Sequence, residues 1–443
     1  TDWETSWDND QYELTYGLSA SGLNHKLILG KRSLLSSSVS FSGYENSSVS
    51  GQLDSLMVNT TVSDVSEKNY SIRAKTELNH KFGSRHTNRT GMMLSEKWYN
   101  YNDMANSDPA SQDTLDFRMN EKGNTFIFQA YSQSLVQLGR KLMMNAGIHF
   151  LYFGLNGNFA VDPRLSFNWQ ISPTQSLGFA YGKHSRIEPL RIYLIEIPVD
   201  GVETLPNKNL EITKAHHFVL AYDWIINRNL HFKVEPYVQL LYDVPTTPDS
   251  SFSMINYQNE MFFNATLDNS GTGINYGIDF TFERFMNRGY YYMATASIYE
   301  SKYKGGDGIE RNTRLNQNYV LNLLGGKEWK VRENNFLSVN GKFTLLGGTP
   351  YTPPDQEASK AVSGVVYDMN QLYAEKWNNN FYLDLSINYR INRPKVSHNF
   401  NIQAKNLTMQ TELLGYSYNY TEQQAVPQEL AIILPYLSYK IVF

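Results

Sequence analysis

The sequence predicts an all-β chain, a transmembrane antiparallel up-and-down β-barrel of the outer-membrane type. Three observations carry that prediction. Apolar and polar residues alternate with period 2 over many separate segments. Short polar links and long segments follow each other in strict alternation along most of the chain. No apolar run approaches the roughly 18 residues of a membrane-spanning helix, so a membrane could be crossed only by strands that close on themselves.

The alternation is plainest in residues 381–391. Phe381, Leu383, Leu385, Ile387, Tyr389 and Ile391 are apolar or aromatic, with Tyr382, Asp384, Ser386, Asn388 and Arg390 between them. The same pattern places Leu165, Phe167, Trp169 and Ile171 on one face. It recurs with Ile274, Tyr276, Ile278, Phe280 and Phe282, and again with Leu337, Val339, Phe343 and Leu345. Segment 230–243 carries His231, Lys233, Glu235, Tyr237 and Gln239 on its polar side, and Pro236 within it predicts a bulge or a local gap in pairing. An Arg or Lys facing lipid at the bilayer midplane costs about 2 to 4 kcal/mol. Lys233, Glu235, Asp279, Glu283, Lys342, Asp384, Asn388 and Arg390 are therefore expected to face the lumen, where they hydrogen-bond one another or a plug.

Links at 30–32, 138–140, 172–175, 227–229, 287–289, 332–334 and 392–395 have the composition of tight hairpin turns. Between them lie long segments at 103–123, 186–211, 244–270, 305–317, 348–378 and 411–434. In a meander this puts every short turn at one end and every long loop at the other, the asymmetry of outer-membrane barrels. Trp98, Tyr99, the run Tyr290, Tyr291, Tyr292, and Tyr299 and Tyr303 gather near strand ends, as interfacial girdles do. A soluble sandwich would turn every 8 to 12 residues or so, whereas these strands run on the order of 10 to 15 residues, enough to cross a bilayer at a tilt.

Roughly 17 strands are expected, and plugged transporters have about 22. Residues 1–443 thus read as a single barrel domain, expected to be the C-terminal part of a larger barrel whose first strands are absent from this chain; the resemblance given below implies a plug there as well. The N-terminal residues show no signal peptide.

Composition removes other classes. Basic residues number 39 against 43 acidic, with no basic run, which argues against nucleic acid. The absence of cysteine excludes thiolate metal sites, disulfides and a Cys nucleophile. His216 and His217 are adjacent on a strand and point to opposite faces, so they cannot chelate together. Gly325-Gly326-Lys327 lacks phosphate-loop spacing and lies in a strand pattern, where close packing or a bulge accounts for it. Residues 305–308 have too few acidic ligands for calcium and read as a loop tip. The Asn-x-Ser/Thr triplets at Asn59 and Asn88 are expected by chance in so Asn-rich a chain. No hydrolase or metalloprotease motif is present, so no catalytic, cofactor or metal residues are expected and the chain is not read as an enzyme.

Several stretches, among them NKNLEITKAHHFVLAYDWIINRNLHFKVEPYVQLLYDVP, NYVLNLLGGKEWKV, GGTPYTPPD, LDLSINYRINRPKVSHNFNIQAKNLT and LPYLSYKIVF, resemble the C-terminal barrel half of TonB-dependent receptors of Bacteroidota. The resemblance covers about the last two thirds well and the first third by pattern only. It implies uptake of a scarce nutrient across the outer membrane, a metal chelate, cobalamin, glycan or peptide, energised by TonB-ExbB-ExbD through the absent N-terminal region. It also implies outer-membrane lipid and lipopolysaccharide as surroundings, and a SusD-like surface lipoprotein or other envelope partner. The last strand, with Leu437, Tyr439, Ile441 and terminal Phe443 on one face, resembles the signal read by the barrel-assembly machinery. The alternatives are a barrel scaffold in an envelope complex and a passive porin.

Overall fold

A computed structural model describes residues 4–443 except 7, 9, 55, 107–114, 200, 201 and 258–264. Seventeen long strands form a meander: β1 (Asp10–Leu29), β2 (Ser33–Leu53), β3 (Asn59–Gly83), β4 (His86–Asn106), β5 (Leu115–Gln137), β6 (Leu142–Phe153), β7 (Phe159–Ser172), β8 (Gln175–Arg186), β9 (Thr213–Asn227), β10 (Leu230–Thr246), β11 (Asp268–Asn287), β12 (Tyr290–Lys304), β13 (Tyr319–Arg332), β14 (Asn335–Leu346), β15 (Asn380–Asn392), β16 (Ser397–Lys405) and β17 (Leu434–Val442). With the three-residue strand Glu310–Asn312 they make one 18-stranded sheet, antiparallel throughout. Its edges are β1 and β17, so the sheet is open among the described residues.

All seven short links expected from sequence are hairpin turns, and an eighth joins β3 to β4 through Ser84 and Arg85. In the link from β11 to β12, Arg288 and Gly289 both have positive φ, 53° and 77°. That pair of dihedrals is the two-residue turn whose twist matches the flanking strands. Register shifts sit beside five of these turns, as at Gln170/Ser172 and Lys330/Arg332. The long connections all fall at the opposite end. One expected loop is mostly strand: β4 runs to Asn106 and β5 starts at Leu115, leaving only 107–114, which lie outside the described residues, as does part of the 244–270 segment.

Pro236 breaks pairing on one side only. Its register with β11 is continuous, Pro236 opposite Ile278. Toward β9 the pairing stops at Tyr237 opposite Val219 and resumes at Val234 opposite Tyr222. The missing N–H thus leaves a gap rather than a bulge.

Register carries one apolar face across the whole sheet. Leu385 pairs with Gly341 and Ala404, and Ile387 with Val339 and Ile402. The same face continues through Leu323, Ala294, Phe282, Phe232 and Trp224, and on β3–β5 through Ile72, Leu94 and Phe128. Its large side chains are exposed, Leu385 at 42% and Ile387 at 49%. On β3 the belt runs from Leu78 to Tyr70, about 26 Å along the strand at ~3.3 Å per residue. Beyond it Lys68 and Ser66 take over.

Aromatic rows border this belt. Tyr70, Trp98, Phe126 and Tyr152 lie toward the long connections, and Trp169, Trp224, Tyr290 and Trp329 toward the short turns. The residues expected to form girdles divide: Trp98, Tyr290 and Tyr292 are on the apolar face, but Tyr99, Tyr291, Tyr299 and Tyr303 are on the other. Period 2 forces this division, since neighbours in a strand cannot share a face. Tyr99 and Tyr303 are buried.

The packed core sits at the long-connection end, on the polar-face side. There Tyr99, Tyr101 and Phe153 meet Ile192, Tyr193, Leu194, Leu210 and Met254 from the connections. A chain with this sheet has no interior between layers, so its apolar packing collects where loops fold back over strands.

Candidate functional site

All eight polar residues selected from sequence lie on the face opposite the apolar belt, in two groups. On β10 and β11, Lys233 Nζ is 2.7 Å from Glu235 Oε1, and Glu235 stands opposite Asp279. Asp279 accepts a hydrogen bond from Ser297, and Glu283 lies 2.9 Å from His231 Nδ1. The other nitrogen of His231 is 2.9 Å from Asp223. On β14 and β15, Lys342 stands opposite Asp384, and Asn388 opposite Ser338. Asp384 accepts the N–H of Asn406 at 3.0 Å. Arg390 donates to Glu328 at 3.2 Å, with its guanidinium 4.8 Å from the Phe336 ring. Most of the charges are thus engaged with neighbours on the same face.

A cavity of about 500 Å³ over β13–β17 takes in Asn388 and Arg390 with Glu328, Asn340, Asn401 and Lys440. A larger one, about 910 Å³, lies against β5–β9 and was missed by a search for charges. Its wall carries Gln129, Tyr131, Asn145, His149, Arg164, His184 and His217. His149 bridges Asp162 at 3.2 Å and Gln129 at 3.0 Å. The signal was present in the alternation, carried more by Gln, His and Tyr than by charged residues such as Arg164. His216 and His217 do face opposite ways: His216 meets Tyr181 on one side of the sheet and His217 meets Gln239 and His184 on the other. Among the described residues no His, Asp and Glu cluster has the geometry to hold a metal.

Gly325-Gly326-Lys327 lies in β13, in continuous register with β14. A Cβ on Gly326 would collide with Asn340 and Tyr291, so close packing and not a bulge explains it. Residues 305–308 are no free tip: Gly305 is buried, and Gly306 bridges to Pro248. Asp307 is paired with Arg311 at 2.8 Å, which holds its carboxyl below the usual range.

At the long-connection end two features stand out. The first is Arg191 in a short helix, α1 (Leu190–Tyr193), in the 187–212 connection. It is 5% exposed and reaches Glu67 of β3 at 2.8 Å and Asp103 of β4 at 2.6 Å. Burial raises the Asp103 carboxyl to about 6, with Glu67 adding to the rise and Arg191 opposing it.

The second is an aromatic cleft of about 620 Å³ between connections, with Tyr351, Tyr367, Tyr373, Trp377 and Tyr416 beside Arg314, Asn380 and Glu412. Tyr351 packs on Trp377 and Tyr416 with ring centroids 5.7 and 5.9 Å apart. The GGTPYTPPD stretch builds one wall. Side chains on Gly347 and Gly348 would strike the carbonyl oxygens of Gln317 and Trp377. Asp355 caps helix α2 (Gln356–Val362) by accepting from Ala358 N at 3.0 Å. Gln356 then clamps the backbone of Ala425 from both sides, at 3.1 and 2.9 Å, fixing the hairpin Glu412–Asn419 with Gln424–Leu430 against the cleft. Gly347→Ala should therefore open this wall, and limited proteolysis should cut within 348–378 severalfold faster than in the parent chain. Equal cutting would mean the backbone shifts without consequence.

Comparison with known proteins agrees with this architecture. A family model described as TonB dependent receptor-like, beta-barrel, matches residues 1–407. Among solved structures, the ferric-catecholate import receptor Fiu from Escherichia coli K12 is similar at TM-score 0.66 and 12% identity, over 98% of this chain and 65% of that one. The ferric yersiniabactin uptake receptor FyuA from Yersinia pestis is similar at TM-score 0.69 and 11% identity, over 97% of this chain and 62% of that one. The RagAB peptide importer is similar at TM-score 0.60 and 12% identity, over 90% and 59%. This chain spans less than two thirds of the length of these structures. No curated protein matches it.

Proposed function

The chain belongs to the family of TonB-dependent receptor-like β-barrels, outer-membrane proteins, and from that premise we propose that it forms the wall of an active importer. The observation that carries the reading is the two-sided sheet: an exposed apolar belt bordered by aromatics on one face, and a hydrogen-bonded polar surface with large cavities on the other. The polar face is the lumen wall, lined by the eight residues named from sequence together with Gln129, His149, Arg164 and His217. The belt meets lipid. The long connections lie outside the cell, where the aromatic cleft captures a scarce ligand, and the short turns are periplasmic. Upstream sequence supplies the plug and remaining strands that close a barrel of about 22 strands, and TonB-ExbB-ExbD supplies the energy. Leu437, Tyr439, Ile441 and Phe443 serve the assembly machinery as its terminal signal. The similar structures include a ferric-catecholate import receptor, a ferric yersiniabactin uptake receptor and a peptide importer; the ligand proposed here is of that size, with flat apolar surface for the tyrosines and polar groups for Arg314 and Glu412.

The absence of native cysteine makes the orientation directly measurable. In intact cells a membrane-impermeant maleimide should label Glu357→Cys in the exposed α2 and leave Asn229→Cys in a short turn unlabelled until the cells are broken. The opposite pattern would refute the orientation. For transport, cells lacking the gene and cells lacking TonB should lose accumulation of the same ligand class when offered ferric catecholates, ferric hydroxamates and oligopeptides. Accumulation that survives loss of TonB would make the barrel a passive pore.

A further inference from the structure

The short-turn rim carries a charge that lumen chemistry does not require. Arg32, Arg85, Arg140, Arg228, Arg288 and Arg393 stand in six of the eight short turns, all exposed, while Glu333 is the one carboxylate in all eight. The long connections carry mainly carboxylates, so the sheet is charged oppositely at its two ends.

Beside this rim, on the apolar face, Tyr290 is held between two cations. The Arg284 guanidinium is 4.4 Å and the Lys327 ammonium 5.3 Å from its ring centroid. Register places all three on that face, Tyr290 opposite Lys327 and Arg284 opposite Tyr292. The nearest carboxylates in sequence, Glu283 and Glu328, fall on the other face and are engaged there with His231 and Arg390. Lys327 donates to the carbonyl of Arg288 at 3.3 Å. The Nε of Arg284 is buried with no hydrogen-bond partner among the described residues. Two outward cations at an aromatic border, whose adjacent carboxylates Glu283 and Glu328 both face the other way, have the chemistry of a phosphodiester site.

We infer that this rim binds anionic phospholipid of the periplasmic leaflet, with Arg284 and Lys327 holding one headgroup phosphate against Tyr290 and the turn arginines holding a looser ring of others. The inference rests on the short turns being periplasmic. A membrane surface fits better than an acidic protein because the turn cations follow the sheet's rim from hairpin to hairpin, past the aromatic row, instead of forming a single patch. Basic groups at that depth attract anionic headgroups.

The test is native mass spectrometry of the full-length chain in neutral detergent, titrated with phosphatidylglycerol or phosphatidylethanolamine. Phosphatidylglycerol should be retained roughly tenfold more tightly, a preference of the size two interfacial cations give. Arg284→Gln with Lys327→Gln should remove the tightest phosphatidylglycerol, and Arg228→Gln with Arg393→Gln, which touches neither, should reduce only the looser ones. Millimolar inorganic phosphate should displace none. Equal retention of the two lipids, or a preference unchanged in both variants, overturns the inference. If the Asn229→Cys label instead reports turns outside the cell, the orientation itself has failed, which the lipid titration would not by itself reveal.

Discussion

Arg191→Leu is expected to release the 187–212 connection from the sheet while leaving the strands assembled. Arg191 lies against both Glu67 and Asp103, and all three side chains are nearly inaccessible. Removing one partner of a buried ion pair typically costs about 3 to 5 kcal/mol, because the remaining charge stays buried without compensation. Here two carboxylates would remain, facing each other. The loss falls on α1 and on Ile192, Tyr193 and Leu194, which the arginine holds in the core above the belt. Amide exchange at Ile192 and Leu194, which donate to Pro189 and Arg191, should accelerate strongly, with strand amides at the short-turn end unchanged. Unaltered protection in the connection would show that apolar packing alone fastens it.

The same cluster gives a pH dependence of definite sign. The Asp103 carboxyl is raised by burial to about 6 from an ordinary 3.8. A raised folded value means that its contribution to stability is complete below 3.8 and is lost as the pH climbs through about 6. Protection of Ile192 and Leu194, corrected for intrinsic exchange, should therefore be greater at pH 5 than at pH 7.5. Asp103→Asn should flatten that difference.

How much of this was legible in the sequence follows from the length scale of each signal. A strand's two faces are written in neighbouring residues, so the belt, the polar face, the seventeen strands and seven of the turns could be read without coordinates. The turn at Ser84 and Arg85 was equally legible, since Gly83 precedes it as Gly30 precedes Lys31 and Arg32, and it was passed over. Burial of Tyr99 and Tyr303 could not be read, since it depends on connections that return from tens of residues away. The Arg191 cluster is the extreme case: its members lie in β3, β4 and α1, and no local pattern links them. The cavity wall at His149 and His217 failed for another reason, namely that attention to charge passed over neutral donors and acceptors, which are just as suited to a wet interior.

The sharpest separation of the two faces comes from two arginines placed three residues apart on β15. Leu385 lies near the middle of the apolar row from Phe381 to Ile391, half exposed, opposite Gly341 on β14 and Ala404 on β16. With small neighbours on both sides, a guanidinium there has no carboxylate to reach and no larger side chain to hide it. At midplane depth this costs about 2 to 4 kcal/mol, so Leu385→Arg should sharply reduce the fraction that migrates as folded, heat-modifiable barrel from outer membranes. Asn388 occupies the other face, opposite Ser338 and Asn401, on the wall of a cavity of about 500 Å³ that also contains Glu328. An arginine there keeps its water and gains a carboxylate within the cavity, though it must share that carboxylate with Arg390. Asn388→Arg should consequently assemble at near the parent yield. If Asn388→Arg were the variant that failed and Leu385→Arg the one that assembled, the belt would have to face the lumen and the functional reading would invert with it.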